Sequence, residues 1–153
     1  MADSSVKLFP AWKQAVRDFL NEFKYGDTVS HEWLADHFSM VLHDEKLSAA
    51  EFRARQFEWL SSIEGFKDQL LRDHQVMLQS VRGEGYRWCA PEEQTRVATA
   101  EFERDMRRTF RATATRLRYV RIEELTGEQR QENVDAIAKL SALRGTVRKQ
   151  IGR

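Results

Sequence analysis

The sequence predicts a mainly α-helical chain that carries one small β-hairpin. Three observations lead there. Apolar residues recur at helical spacing along most of the 153 residues. One stretch, Val76 to Pro91, alternates residue by residue around Gly83-Glu84-Gly85 instead. The charge also changes sign after that stretch. Residues 1–91 hold 11 Lys/Arg against 14 Asp/Glu, a net of −3, and residues 92–153 hold 14 against 10, a net of +4. The two halves are therefore expected to do different work.

The elements follow in order. Met1 to Lys7 is polar and expected to be loose. From Leu8 to Phe23, Trp12, Ala15, Val16, Phe19, Leu20 and Phe23 fall on one helical stripe, which Gly26-Asp27 ends. Ser30 is an N-cap for a short helix from His31 to Phe38 that buries Trp33, Leu34 and Phe38. Ser39 to Leu47 reads as a loop holding a solvated acid pair, Asp44-Glu45. Ser48 and Glu51 form a capping box, in which hydroxyl and carboxylate each satisfy an orphan backbone N–H. The helix it starts runs to about Arg72, with Phe52, Gln56, Trp59, Leu60, Ile63, Phe66 and Leu70 on its inner face.

In the hairpin, Val76, Leu78 and Ser80 alternate with Met77, Gln79 and Val81. The two glycines supply positive φ for a tight reversal. Tyr86, Trp88 and Ala90 alternate back, and Pro91 stops the strand. A lone hairpin is not stable in water, so it must lie on helices. After Pro91, Glu92 to about Glu124 reads as one long helix. Thr126 and Gln129 make a second capping box, opening a helix with Val134, Ile137, Leu140, Val147 and Ile151. Arg144 interrupts that seam. The expected organisation is a domain over residues 8–91 and a two-helix appendage over 92–153, either a folded-back αα-hairpin or a coiled-coil dimerisation arm.

Composition excludes several classes. With 41% apolar and 32% charged residues the chain has a core under a solvated surface and is not globally disordered. No signal peptide and no bilayer-spanning apolar run is present, so no membrane partner is expected. A single Cys89 allows no internal disulfide and fits a reducing cytoplasm. The histidines, His31, His37, His43 and His74, form no i, i+3 or i, i+4 pair, and there is no H-E-x-x-H or C-x-x-C. His31 and His37 read as surface or cap residues, Cys89 as a buried inert thiol, and the four tryptophans as core. No metal, cofactor, small-molecule substrate or enzymatic activity is expected.

Three helices followed by a hairpin is the order of a winged helix-turn-helix. Residues 26–88 resemble the DNA-binding effector domain of response regulators, without a receiver domain. Gly26, Val29, Ser30, Glu32 and Leu34 match the family's G-x-x-V-S-x-E-x-L at the start of helix two. Ile63, Phe66, Lys67 and Leu70 match its I-x-x-L-R-x-x-L recognition helix, and Val81 to Arg87 match its V-R-G-x-G-Y-R wing. The resemblance implies a winged helix-turn-helix followed by the helical appendage, in a small, phage-type or accessory regulator. It implies that Arg82, at the hairpin tip, enters a minor groove. Arg87 on the return strand and Lys67 and Arg72 on the recognition helix join it as DNA-binding residues. The match breaks at Glu64 and Gly65, where the family often has arginine, and Asp68 shares the outward face of Glu64. A carboxylate near phosphates is repulsive unless it accepts from a cytosine amino group. Gly65, at about 1 kcal/mol less favourable than alanine in a helix, either permits a close approach or is a neutral surface residue.

The second informative stretch is Arg104 to Arg121. At 100° per residue, Arg104, Arg107, Arg108, Arg111 and Arg118 share a third of the helix circumference, and Phe102, Met106, Phe110, Leu117 and Val120 lie across from them. Guanidinium forks match phosphate oxygens, and their binding to a backbone releases counterions. The bland alternative is a solvated face paired with neighbouring acids. Two functions therefore lead, with an architectural or single-strand binder that needs little base reading as a third possibility. One is a non-enzymatic, regulatory double-stranded-DNA binder that combines winged helix and arginine face. The other is a protein-interaction module on the same scaffold, an adaptor or inhibitor of a nucleic-acid machine, with homodimerisation open in both.

Overall fold

A computed structural model describes residues 10–41 and 46–151. Leu8, His43 and the Asp44-Glu45 pair lie outside the described residues. The chain is mainly helical with a small antiparallel sheet, and it divides into two compact units, Met1–Gln94 and Thr95–Arg153. Among the described residues no helix is long and apolar enough to cross a membrane.

The N-terminal unit runs α1 (Ala11–Glu22), β1 (Thr28–Ser30), α2 (His31–His37), α3 (Ala49–His74), β2 (Leu78–Val81) and β3 (Gly85–Trp88). The expected caps form. The Ser30 hydroxyl accepts from the Trp33 N–H at 3.1 Å. Ser48 and Glu51 close a reciprocal capping box. Gln75, in the left-handed region at φ 54°, ends α3, and the Val76 N–H bonds back to the Leu70 carbonyl at 3.0 Å.

The sheet has one strand more than the two expected. β1 pairs antiparallel with β3, opposing Val29 to Tyr86, and the order is β1-β3-β2. Only three residues long, with Val29 alone buried, β1 shows no alternation that a sequence could reveal. It explains Gly85. Gly83, at φ 79°, serves the three-residue turn, but a Cβ on Gly85 would run into the Val29 carbonyl oxygen. One glycine of the pair makes the reversal, and the other lets β1 pass.

Phe19 is the centre of the core, its ring 5.7 Å from Phe66 and 5.1 Å from Trp88. Leu34, Leu70, Val16 and Val29 close around them, fully buried. Such rings contribute both area and edge-to-face attraction. All four tryptophans pack on or in this cluster.

The inner face assigned to α3 needs correction. Ile63, Phe66 and Leu70 are buried and Trp59 is half-buried, but Phe52, Gln56 and Leu60 are exposed. Helix α3 extends beyond the core it packs on, so every residue from Ala49 to Glu58 faces water. Trp59 is the first to reach the core, 5.6 Å from the Phe38 ring.

The C-terminal unit holds most of α4 (Pro91–Arg118) and all of α5 (Gly127–Ile151), joined by a short 3₁₀ turn, Ile122–Glu124. The expected helix to Glu124 thus stops six residues early. The chain reverses there because α5 satisfies carbonyls that the ended helix and the turn leave open. Asn133 donates to the Leu117 carbonyl at 3.1 Å, and Arg130 Nε to the Ile122 carbonyl at 3.1 Å. The second capping box is present, with Thr126 and Gln129 exchanging bonds of 3.0 and 3.2 Å. Since Leu117 meets Asn133, and Met106 and Phe110 share a groove with Val147 and Ile151, the two helices form an antiparallel αα-hairpin.

Candidate functional site

The residues singled out in the N-terminal unit separate by what they already touch. Arg82 is exposed at the tip of the β2–β3 turn. Arg87 is held within the unit. It donates to Glu93 at 2.9 Å and to Gln79 at 3.1 Å, and the bond to Glu93 raises its pKa above the ordinary arginine value. Lys67 lies over the Tyr86 ring, 5.1 Å from its centroid. Arg72 is paired with Asp68 at 2.7 Å, one helical turn away. Of these four cations, only Arg82 has no ion-pair, hydrogen-bond or ring partner among the described residues.

The outward side of α3 is acidic and apolar. Glu64 and Asp68 are exposed on it, and so are Phe57 at 76% and Leu60 at 58%. Gly65 does not belong to this surface. A Cβ there would lie 2.8 Å from two ring carbons of Trp12, so the glycine is where α1 crosses α3. Its close approach is to the protein's own indole, and the neutral-surface alternative falls.

The histidines of α2, expected as surface or cap residues, are half-buried and also make ring contacts. His31 lies 5.7 Å from the Tyr86 ring and 6.3 Å from Trp59. His37 stacks on Trp33 at 3.6 Å and bonds the Trp33 carbonyl through Nδ1. Cys89 is buried.

In the C-terminal unit, Arg104, Arg107, Arg108, Arg111 and Arg118 are all exposed on α4. Asp105 lies 3.6 Å from Arg104 and 3.1 Å from Arg108, and Glu103 lies 3.7 Å from Arg107. Pairs this exposed contribute about 0–1 kcal/mol each and exchange readily for another anion. Arg111 and Arg118 have no carboxylate partner among the described residues. Across from the stripe, Met106, Phe110 and Leu117 are half-buried, but Phe102 is exposed and does not pack as expected.

The fold adds to the stripe. A groove of about 400 Å³ between α4 and α5 has Met106, Phe110, Val147 and Ile151 on its floor. Arg107 from α4 and Arg144 and Arg148 from α5 stand on its rim, with Glu103. Helix α5 therefore widens the basic face by two guanidinium groups. In the sequence Arg144 is only a break in a seam and Arg148 carries no signal, because the pairing of the two helices is what brings them to Arg107.

Among the described residues no group of three or more potential metal ligands occurs. No protein-family model matches the chain, and no curated protein or solved structure matches it.

Proposed function

We propose that the protein is a non-enzymatic, cytoplasmic, DNA-binding regulator, a winged helix-turn-helix whose C-terminal hairpin holds the phosphate backbone. The observation that carries this reading is the arginine face: five exposed guanidinium groups on α4, extended by Arg144 and Arg148. Its exposed ion pairs are weak, and releasing condensed counterions from DNA favours the exchange. The order α1-β1-α2-α3-β2-β3 is that of a winged helix, and a free Arg82 at the hairpin tip suits a minor groove. Sequence reading by α3 is not part of the proposal, since its outward side presents Phe57, Leu60, Glu64 and Asp68.

The test is binding to a labelled duplex as a function of salt. Each lost phosphate contact lowers the log–log slope by about 0.9. Replacing Arg107, Arg108 and Arg111 with alanine together is expected to weaken binding and to lower the slope by roughly 2 to 3. An unchanged slope and affinity would remove the arginine face from the DNA interface. The second reading, a protein-interaction module, is favoured by that same acidic and apolar side of α3. Passage through heparin resin at physiological salt without retention would support it over DNA binding.

A further inference from the structure

We infer that the outward side of α3 is a self-association surface, occupied by the same helix of a second copy running antiparallel. The reading is independent of nucleic-acid binding. It starts from Phe57 and Leu60, which are exposed on a helix whose core stripe lies elsewhere. Large apolar side chains in adjacent turns of one exposed helix face mark a contact surface. They belong to a run at 4-3-4 spacing, Arg53, Phe57, Leu60 and Glu64, which falls within about 60° of the helix circumference. That is the spacing by which helices interlock along a seam.

The order of side chains along the run identifies the occupant. It reads basic, apolar, apolar, acidic. A two-fold axis between Glu58 and Trp59 places Phe57 of one copy against Leu60 of the other, and Arg53 against Glu64. The axis repeats both contacts, as an isologous interface requires. Arg53 and Glu64 are exposed, and neither has an ion-pair partner among the described residues. A random basic or acidic partner would satisfy one end of this run. An antiparallel copy satisfies both. The side of α3 that the second copy covers is the side a DNA-reading helix would need open, which agrees with the acids found there.

The contact spans three turns of one helix on each side, and contacts of this size are at the transient end of protein interfaces. Association is therefore expected at micromolar to hundred-micromolar concentration. The experiment is sedimentation equilibrium of the full chain without nucleic acid, up to about 100 μM. Wild type is expected to pass from 18.0 kDa to twice that mass. Phe57→Glu is expected to hold it at the single mass, with an unchanged circular-dichroism spectrum because the position is exposed. Arg53→Glu and Glu64→Arg face like charges across the axis, and each is expected to weaken self-association at least tenfold. Mixed one to one, these two variants restore both opposite-charge contacts and are expected to form a heterodimer. A single 18.0 kDa species for wild type at every concentration would overturn the proposal. So would a dimer indifferent to all three substitutions, which would assign the contact to another surface. Either failure leaves the DNA-binding proposal untouched, since no duplex is present.

Discussion

The two units of this chain hold their helices in place by opposite means. In the N-terminal unit twelve buried side chains from three helices and three strands close on one another around Phe19 and Phe66. In the C-terminal unit Val97 is the one buried hydrophobic among the described residues, and α5 buries none. What fixes the second unit is a capping box, carbonyls taken by Asn133 and Arg130, and one half-buried seam. The contrast separates two kinds of surface. A core-built unit can hold a side chain in a defined place, as it holds Arg87. A seam-built hairpin leaves its guanidinium groups exposed to water, which suits a repeating polyanion better than a single shaped ligand.

The largest effect that tests this contrast is a ring deletion in each unit. Phe19→Ala is expected to cost about 3–5 kcal/mol, as for other buried aromatic truncations. Phe110→Ala, on a half-buried seam, is expected to cost about 1 kcal/mol. All four tryptophans lie in the N-terminal unit, so urea unfolding followed by indole fluorescence reports that unit alone. Phe19→Ala should shift that transition strongly and Phe110→Ala hardly at all. A Phe110→Ala shift of the full size set by its own cost would mean that the units unfold together, and the contrast would be wrong.

A smaller effect uses two glycines inside helices, one in each unit. Alanine is favoured over glycine in a helix by about 1 kcal/mol. At Gly145 a Cβ meets nothing within 4 Å, so Gly145→Ala should stabilise by up to about that amount. At Gly65 the Cβ meets the Trp12 ring at 2.8 Å, and overpacking of this kind costs about 1–3 kcal/mol. Gly65→Ala should therefore destabilise, and in a Trp12→Ala background its sign should reverse. Thermal melts of the four variants check this, and a stabilising Gly65→Ala in the wild-type background would show that α1 yields.

Much of the fold was legible because its signals are local. Ser30, Ser48-Glu51 and Thr126-Gln129 announce their helices within four residues, and the V-R-G-x-G-Y-R stretch announces its hairpin. What escaped needed a partner distant in sequence. Strand β1 is too short to alternate and exists because β3 offers it an edge. Gly85 looks like a turn residue until β1 crosses it. Phe52 and Leu60 keep the helical rhythm of a buried face, but the rhythm cannot say where the core ends. The site divides in the same way. Five arginines of α4 share a face by spacing alone, whereas Arg148 joins them only through the fold-back. Arg87 and Lys67 looked as available as Arg82, and only packing shows that Glu93 and Tyr86 hold them.

The smallest expected effect probes how closely the N-terminal unit encloses one phenol. Burial pushes the Tyr86 phenol above its ordinary value of 10.0. The raised value means that the unfolded chain releases the Tyr86 proton first as pH rises. The contribution of this phenol to stability is thus complete below pH 10 and declines as pH climbs through the folded-state value. Tyr86→Phe removes the group that titrates and should flatten the alkaline fall in stability, followed by tryptophan fluorescence above pH 10. An unchanged curve for Tyr86→Phe would mean that water reaches the ring between Lys67 and His31 freely, and that the sheet rests on α3 more loosely than the core beneath it requires.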